Sequence, residues 1–203
     1  MLNFVYSKLF RGLFILGAVI TAACIPIATE KIYPPESSLI LQQSVLKAHN
    51  DIRAKHCVKP LQWSEELQNI AVRNARAFVK AGCPKLAHTA KSTRIYKGRT
   101  AGENLIGAYS PDFELGKHIQ NTYNKEIIEY DYLNPEREVK RFKIHAHATQ
   151  IIWASTTEMG CAIARCNRKG IGFDVIYCNY HKHGNHTKPE QYKRNVLPPK
   201  ATC

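Results

Sequence analysis

The stretch HATQIIWASTTEMGCAIARC, His147–Cys166, decides how the chain folds. It opens on a histidine, passes through the apolar Ile151, Ile152 and Trp153, and closes on Cys161 and Cys166. The apolar triplet reads as core. Its continuation, EMGCAIARC, and the later GIGFDVIYCNY are short and β-prone, and the turn-like NRKG separates them. That pattern predicts a β-hairpin. With its centre near Arg168, Cys161 falls within a residue or two of being opposite Ile176–Cys178, close enough for a Cys161–Cys178 bridge.

Upstream the apolar period becomes helical. Ser37–His56 carries Leu41, Val45, Leu46, Ala48 and Ile52 near helical spacing, with Ser38 as the expected N-cap. A second helix starts at Ser64, with Glu65 and Glu66 in its first turn and Gly82 as its stop. Its stripe is Leu67, Ile70, Ala71, Asn74, Ala75 and Phe78. A third, SPDFELGKHIQNTYNKEIIEY, has Ser110 as cap and Pro111 in its first turn, with a stripe of Phe113, Ile119, Tyr123, Ile127 and Tyr130. Helices first and strands after predict an α+β fold, with helices on the faces of a mainly antiparallel sheet.

Residues 1–24 read as a signal peptide. Lys8 and Arg11 precede an apolar run from Leu13 to Ala23 that is short for a bilayer span, and cleavage is expected near Ala23 or Cys24. An uncleaved anchor and a lipidated Cys24 are the other readings of that stretch. Residues 25–203 then form a single domain with Cys57, Cys83, Cys161, Cys166, Cys178 and Cys203. An even set of cysteines in an exported chain implies three disulfides. The net charge of +13 is spread along the chain, with modest clusters at Lys140-Arg141-Lys143 and Lys188-Lys193-Arg194. Dispersed charge reads as a solvated surface; it allows a polyanion partner and points to no specific nucleic acid. Asn185-His186-Thr187 is the one N-x-S/T sequon, which makes Asn185 a candidate glycan acceptor.

Four residues stand out as a set: His88, Glu103, Glu126 and His147. Singly they have plain readings, His88 as a loop histidine and Glu103 as a helix-start acid. Glu126 lies near the apolar stripe of the third helix, where a carboxylate needs a partner. Two imidazoles and two carboxylates pair naturally. Each acid accepts from one ring nitrogen and leaves the other free for a metal or a substrate. His88 and His147 are thus the candidate metal ligands of a shallow, partly occupied site, since a tight zinc site has three or more. His145 would join them in an extended segment but would point away in a helix. The same tetrad could act as acid–base groups of a metal-assisted hydrolase, although neither HExxH nor GxSxG occurs.

HATQIIWASTTEMGCA resembles the first signature of the CAP superfamily (cysteine-rich secretory proteins, antigen 5 and pathogenesis-related 1 proteins), and YCNYHKHGN, Tyr177–Asn185, resembles the second. HNDIRAKH, LQWSEELQNIAVRNA, HTA, GENL and YNKEIIEY match its other landmarks in order, so the resemblance spans about residues 45–186. It implies a disulfide-stapled α-β-α sandwich with His88, Glu103, Glu126 and His147 in a central cleft able to hold zinc or magnesium. It also implies bridges Cys83–Cys166 and Cys161–Cys178, which leaves Cys57–Cys203. The branch it resembles is that of secreted venom allergen-like proteins, which implies non-enzymatic binding of sterols, fatty acids or extracellular protein partners. Tyr130, Tyr132 and Phe142 are then the lipid-binding loop candidates. Several positions depart from the pattern. Ala146 and Ala148 flank His147 where glycine and an aromatic are usual, Tyr123 replaces a tryptophan, and the loop DYLNPEREVKRFKIHA is charged, with Arg137 interrupting its aromatic spacing.

Overall fold

Proline or a side-chain cap marks the start of four of the described helices. The computed structural model describes residues 35–108, 115–168 and 170–203, which belong to one unit, Tyr33–Cys203. Helix α1 (Pro35–Lys55) begins on a proline, whose missing N–H is no loss in a first turn. Ser38 therefore lies inside the helix and is not its N-cap, which corrects the sequence reading. After the two-residue strand β1 (Gln62–Trp63) comes α2 (Glu65–Lys80). Ser64 Oγ accepts from Leu67 N at 3.3 Å, and the whole expected stripe from Leu67 to Phe78 is buried. Gly82, at φ 76°, then turns the chain out of the helix.

A small hairpin, β2 (Ile95–Tyr96) and β3 (Arg99–Thr100), leads into β4 (Gly102–Ala108). Helix α3 (Leu115–Ile127) buries Ile119 and Tyr123. Its expected start at Ser110, Pro111 and Phe113 lies outside the described residues, as does the leader read over residues 1–24. The charged segment read as a loop is helical instead, forming α4 (Pro135–Lys140) and α5 (Phe142–Ile152). The cause is a full helix-start signal. Asn134 Oδ1 accepts from Arg137 N at 3.2 Å, Pro135 sits in the first turn, and Glu136 and Glu138 face the positive end of the dipole. Strands β5 (Glu158–Arg168) and β6 (Ile171–His181) form the hairpin, and α6 (Pro189–Asn195) follows.

The sheet runs β1-β5-β6-β4, parallel only between β1 and β5. Because alternate side chains face opposite ways, each strand feeds two cores. Leu105, Ala162, Ala164, Val175 and Tyr177 pack under Ala71, Ala75 and Phe78 of α2. Ile106, Met159, Cys161, Ile176 and Tyr180 pack with Val45, Ile52, Ile119, Ile151, Ile152 and Trp153 on the other side. This is the three-layer α+β arrangement expected, with a mainly antiparallel sheet between helices. Bridges join Cys161 to Cys178 across the hairpin, Cys83 to Cys166 behind α2, and Cys57 to Cys203 beyond α1.

Two close contacts hold the layers in place. Arg53 of α1 is fully buried and meets main-chain carbonyls only. Its Nε donates to Lys59 O at 2.8 Å, Nη1 to Ile151 O at 2.8 Å and Trp153 O at 3.0 Å, and Nη2 to Thr156 O at 3.2 Å. Burial pushes its pKa down to about 10, so it stays charged at neutral pH. On the opposite face, the first turn of α2 rests directly on Gly160. A Cβ there would fall 2.6 Å from Ser64 O and closer still to Gln68 N, both backbone atoms that cannot swing aside. Gly160→Ala is therefore expected to lift α2 from the sheet and lower stability by about 3 kcal/mol. Thermal unfolding checks it, and an unchanged midpoint would refute the contact.

Candidate functional site

Glu103 is not a helix-start acid; it lies in β4 with its side chain fully buried. A carboxylate placed there must be saturated with donors, and it is. Its Oε1 takes His88 Nδ1 at 2.9 Å and Thr89 N at 2.9 Å, and its Oε2 takes Thr89 Oγ1 at 2.6 Å. Arg94 Nε stands 4.0 Å away. Burial alone would raise the Glu103 pKa, but the bonds from His88 and Thr89 and the Arg94 charge outweigh it and hold the group below its ordinary value.

The second pair is built from two helices. Glu126, near the end of α3, takes His147 Nδ1 at 2.5 Å on Oε1 and Ala148 N at 2.9 Å on Oε2. Strand β4 links the two pairs, because Asn104, next to Glu103, donates Nδ2 to His147 O at 3.2 Å. Asn104 also donates to Tyr180 OH at 3.3 Å, which meets the buried His49 Nε2 at 2.8 Å. Burial drops His49 to about pKa 4, so this inner histidine is neutral.

In both pairs Nδ1 is committed to a carboxylate, and Nε2 of His88 and of His147 has no hydrogen-bond partner among the described residues. His88 is open to solvent, its side chain 62% exposed, whereas His147 is at 30%. No group of three His, Cys, Asp or Glu side chains converges on a common point among the described residues. Two imidazoles without a third protein donor do not make a closed metal site.

His145 points away from His147, as two residues on a helix do. It is fully buried, with Nδ1 donating to Glu126 O at 2.7 Å and Nε2 lying 2.8 Å from Glu138 Oε2, a contact poorly aligned for a hydrogen bond. Of the lipid-loop candidates, Tyr130 is buried and Tyr132 half-buried, their rings 4.8 Å apart, and Tyr130 also meets His145 at 5.4 Å. Phe142 faces solvent. The three form no common cradle.

Asn185, read as a surface glycan acceptor, is turned inward. It sits at φ 59°, accepts from Thr149 Oγ1 at 2.6 Å and donates Nδ2 to Ala146 O at 2.8 Å, thereby holding the helix that carries His147. Sequence reasoning missed this clamp, and Asn104 with it. For Asn185 the sequon drew attention to a glycan and away from its bonds to Ala146 and Thr149. For Asn104 the available signal was a polar residue inside GENLIG, where an apolar one would be expected on the core face.

The depressed Glu103 pKa fixes a pH dependence. Its stabilising contribution is complete above the ordinary value of 4.5 and is lost as pH falls through the lower folded value. Glu103→Gln should cost about 2 kcal/mol at neutral pH. The gap in thermal midpoint between variant and wild type should close in acid below about pH 4. A gap that stays constant with pH would contradict the assignment.

The sequence pattern of the CAP family, described as the cysteine-rich secretory protein family, matches residues 46–180. The chain is 35% identical over 159 residues to a probable pathogenesis-related protein of Candida albicans, covering 77% of this chain and 41% of that longer protein. It is 31% identical over 182 residues to pathogenesis-related protein 1 of Arabidopsis thaliana, covering 90% and 96%. Among solved structures, the crystal structure of NaASP2 with Zn2+ superposes with a TM-score of 0.59 at 18% identity, over 79% of this chain and 86% of that one. That last likeness speaks for the fold alone. With its α-β-α layers, the family match over residues 46–180 and these relatives, the chain belongs to the CAP family.

Proposed function

We propose that the chain is an exported, non-catalytic binding domain that takes a divalent cation through His88 and His147 and meets lipids or extracellular surfaces. One observation carries the metal reading: each imidazole hands Nδ1 to a carboxylate and keeps Nε2 free among the described residues. A carboxylate on Nδ1 holds the ring in the tautomer whose Nε2 lone pair can ligate, and it raises the basicity of that nitrogen. Imidazole donors suit zinc better than magnesium, which prefers oxygen. The zinc named with the NaASP2 structure belongs to that protein, and it makes zinc the natural first probe here.

Export is supported by the charged-then-apolar start of the sequence and by three disulfides, which persist in oxidising compartments. The hydrolase reading would use the same pairs for proton transfer and the ion to acidify water. All six described cysteines are bridged, so none of them is a free nucleophile.

Calorimetric titration with zinc tests the proposal. Saturable, chelator-reversible binding is expected, weakened at least about tenfold in His88→Ala and in His147→Ala. Equal binding in both variants, or none in wild type, would sink the cleft as a metal site. Chelator-sensitive cleavage of a peptide library that disappears in both variants would transfer the cleft to hydrolysis.

A further inference from the structure

The connection between β6 and α6 carries two histidines that the His–Glu cleft does not use. His183 is half-buried and His186 is exposed. Their rings stack with centres 4.7 Å apart and planes inclined by 29°. The turn that carries them is fixed in the shape that pairs them.

Three anchors fix it. Lys182 O accepts from Thr156 Oγ1 at 2.8 Å, Gly184 N donates to Gln150 Oε1 at 2.8 Å, and the Asn185 side chain is bonded to Thr149 and Ala146. Gly184 packs against Trp153, where a Cβ would fall 2.8 Å from the indole ring. The same indole meets the His186 ring at 5.8 Å. Beneath His183 stands Gly102, where a Cβ would come within 2.8 Å of the His183 Cβ. Both rings are thus placed before any ligand arrives.

Their nitrogens are placed as well. His183 Nδ1 donates to Gly184 O at 2.9 Å, which leaves the lone pair on Nε2, and Nε2 has no partner among the described residues. The His186 ring is turned to the main-chain carbonyl of His183. A carbonyl facing one ring nitrogen is a common arrangement of a metal-binding histidine. Imidazole nitrogens bind a first-row ion at about 2 Å, so each ring centre lies roughly 3 Å from it. Two rings at a right angle around one ion then have centres roughly 4.5 Å apart. The observed 4.7 Å is close to that spacing.

We propose that His183 and His186 form an open metal site, separate from the His–Glu cleft, that takes copper(II). No third His, Cys, Asp or Glu joins the pair among the described residues. Without oxygen donors the site does not suit magnesium or calcium. Zinc ordinarily takes three or more protein ligands. Copper(II) stands highest in affinity among the divalent first-row ions and accepts a tetragonal set completed by water. Charge does not assemble the site, since Lys182 and Lys188 flank it and Glu190 is the nearest acid in sequence. The two imidazoles hold the ion alone. The inference does not depend on metal binding by His88 and His147.

Copper(II) titration of the full chain tests it, followed by tryptophan fluorescence and electron paramagnetic resonance. Trp63→Phe leaves Trp153, which meets the His186 ring, as the one tryptophan. Saturable quenching that a chelator reverses is expected, with nitrogen splitting from two imidazoles in the resonance spectrum. His183→Ala and His186→Ala should each weaken copper binding at least about tenfold. Neither side chain belongs to the three anchors, so the thermal midpoint should stay near that of wild type. The double variant His88→Ala, His147→Ala separates the two sites, and quenching that persists in it belongs to this pair. Quenching lost in that variant but kept in His183→Ala, His186→Ala moves the copper to the cleft and overturns the proposal. Loss in both double variants makes one shared site of the two and overturns it as well. So does an absence of quenching in wild type, equal quenching in the His183 and His186 variants, or displacement of copper by an equal concentration of zinc. A cleft that fails to bind zinc while Trp153 is still quenched removes the cleft reading only.

Discussion

The register of the β5–β6 hairpin governs the rest of the molecule. Cys161 stands opposite Cys178, and a slip of one residue would send every side chain of one strand to the wrong core. That register places Ile176 and Tyr180 against α1, α3 and α5, and Val175 and Tyr177 beneath α2. It also puts Gly160 under the backbone of Ser64 and Gln68, where any side chain would obstruct α2. Through β6 it fixes β4, setting Glu103 beside Asn179 and Asn104 beside Cys178. The site is therefore located by a disulfide-bridged hairpin that contributes none of its four His and Glu residues.

The two His–Glu pairs solve the same problem with different parts. One carboxylate comes from a strand and one from a helix, yet each accepts a main-chain N–H as well as an imidazole, Thr89 N for Glu103 and Ala148 N for Glu126. In each case the N–H comes from the residue that follows the histidine. The acid thus fixes both the ring and the backbone that carries it, which orients the imidazole before any ligand arrives. Orientation by a buried acid is a binding feature as much as a catalytic one, and it leaves Nε2 as the reactive face.

What could be read from the chain follows from how local each feature is. Helix α2 was legible because its cap, acids, stripe and stop lie within one stretch, and the hairpin because two β-prone runs flank a turn. His88, Glu103, Glu126 and His147 could be grouped by residue chemistry and by family resemblance, but their partnership depends on contacts 15 and 21 residues apart. The start of α1 was misplaced because Ser38 looked like a cap although a proline upstream opens the helix. The family resemblance places a loop over segment 131–146, while Asn134-Pro135 carries a helix-start signal. Tyr130 and Tyr132 do stand in the connection between α3 and α4, but their rings pack on each other and toward the core. At Asn185 the motif was legible but the bond from its side chain to Ala146 O, 39 residues away, was not.

Arg53 gives the fold a clamp of unusual indifference to its surroundings. Its partners are the carbonyls of Lys59, Ile151, Trp153 and Thr156, dipoles with no proton to gain and no charge for counterions to screen. Acid that would release a carboxylate partner leaves these bonds intact, and brine that would loosen a surface ion pair does not reach them. The far end of the helix bearing His147 is thus tethered in the same way in dilute, saline or acidic fluid. The His–Glu pairs therefore rest on a frame in which at least this joint is loosened by neither acid nor salt.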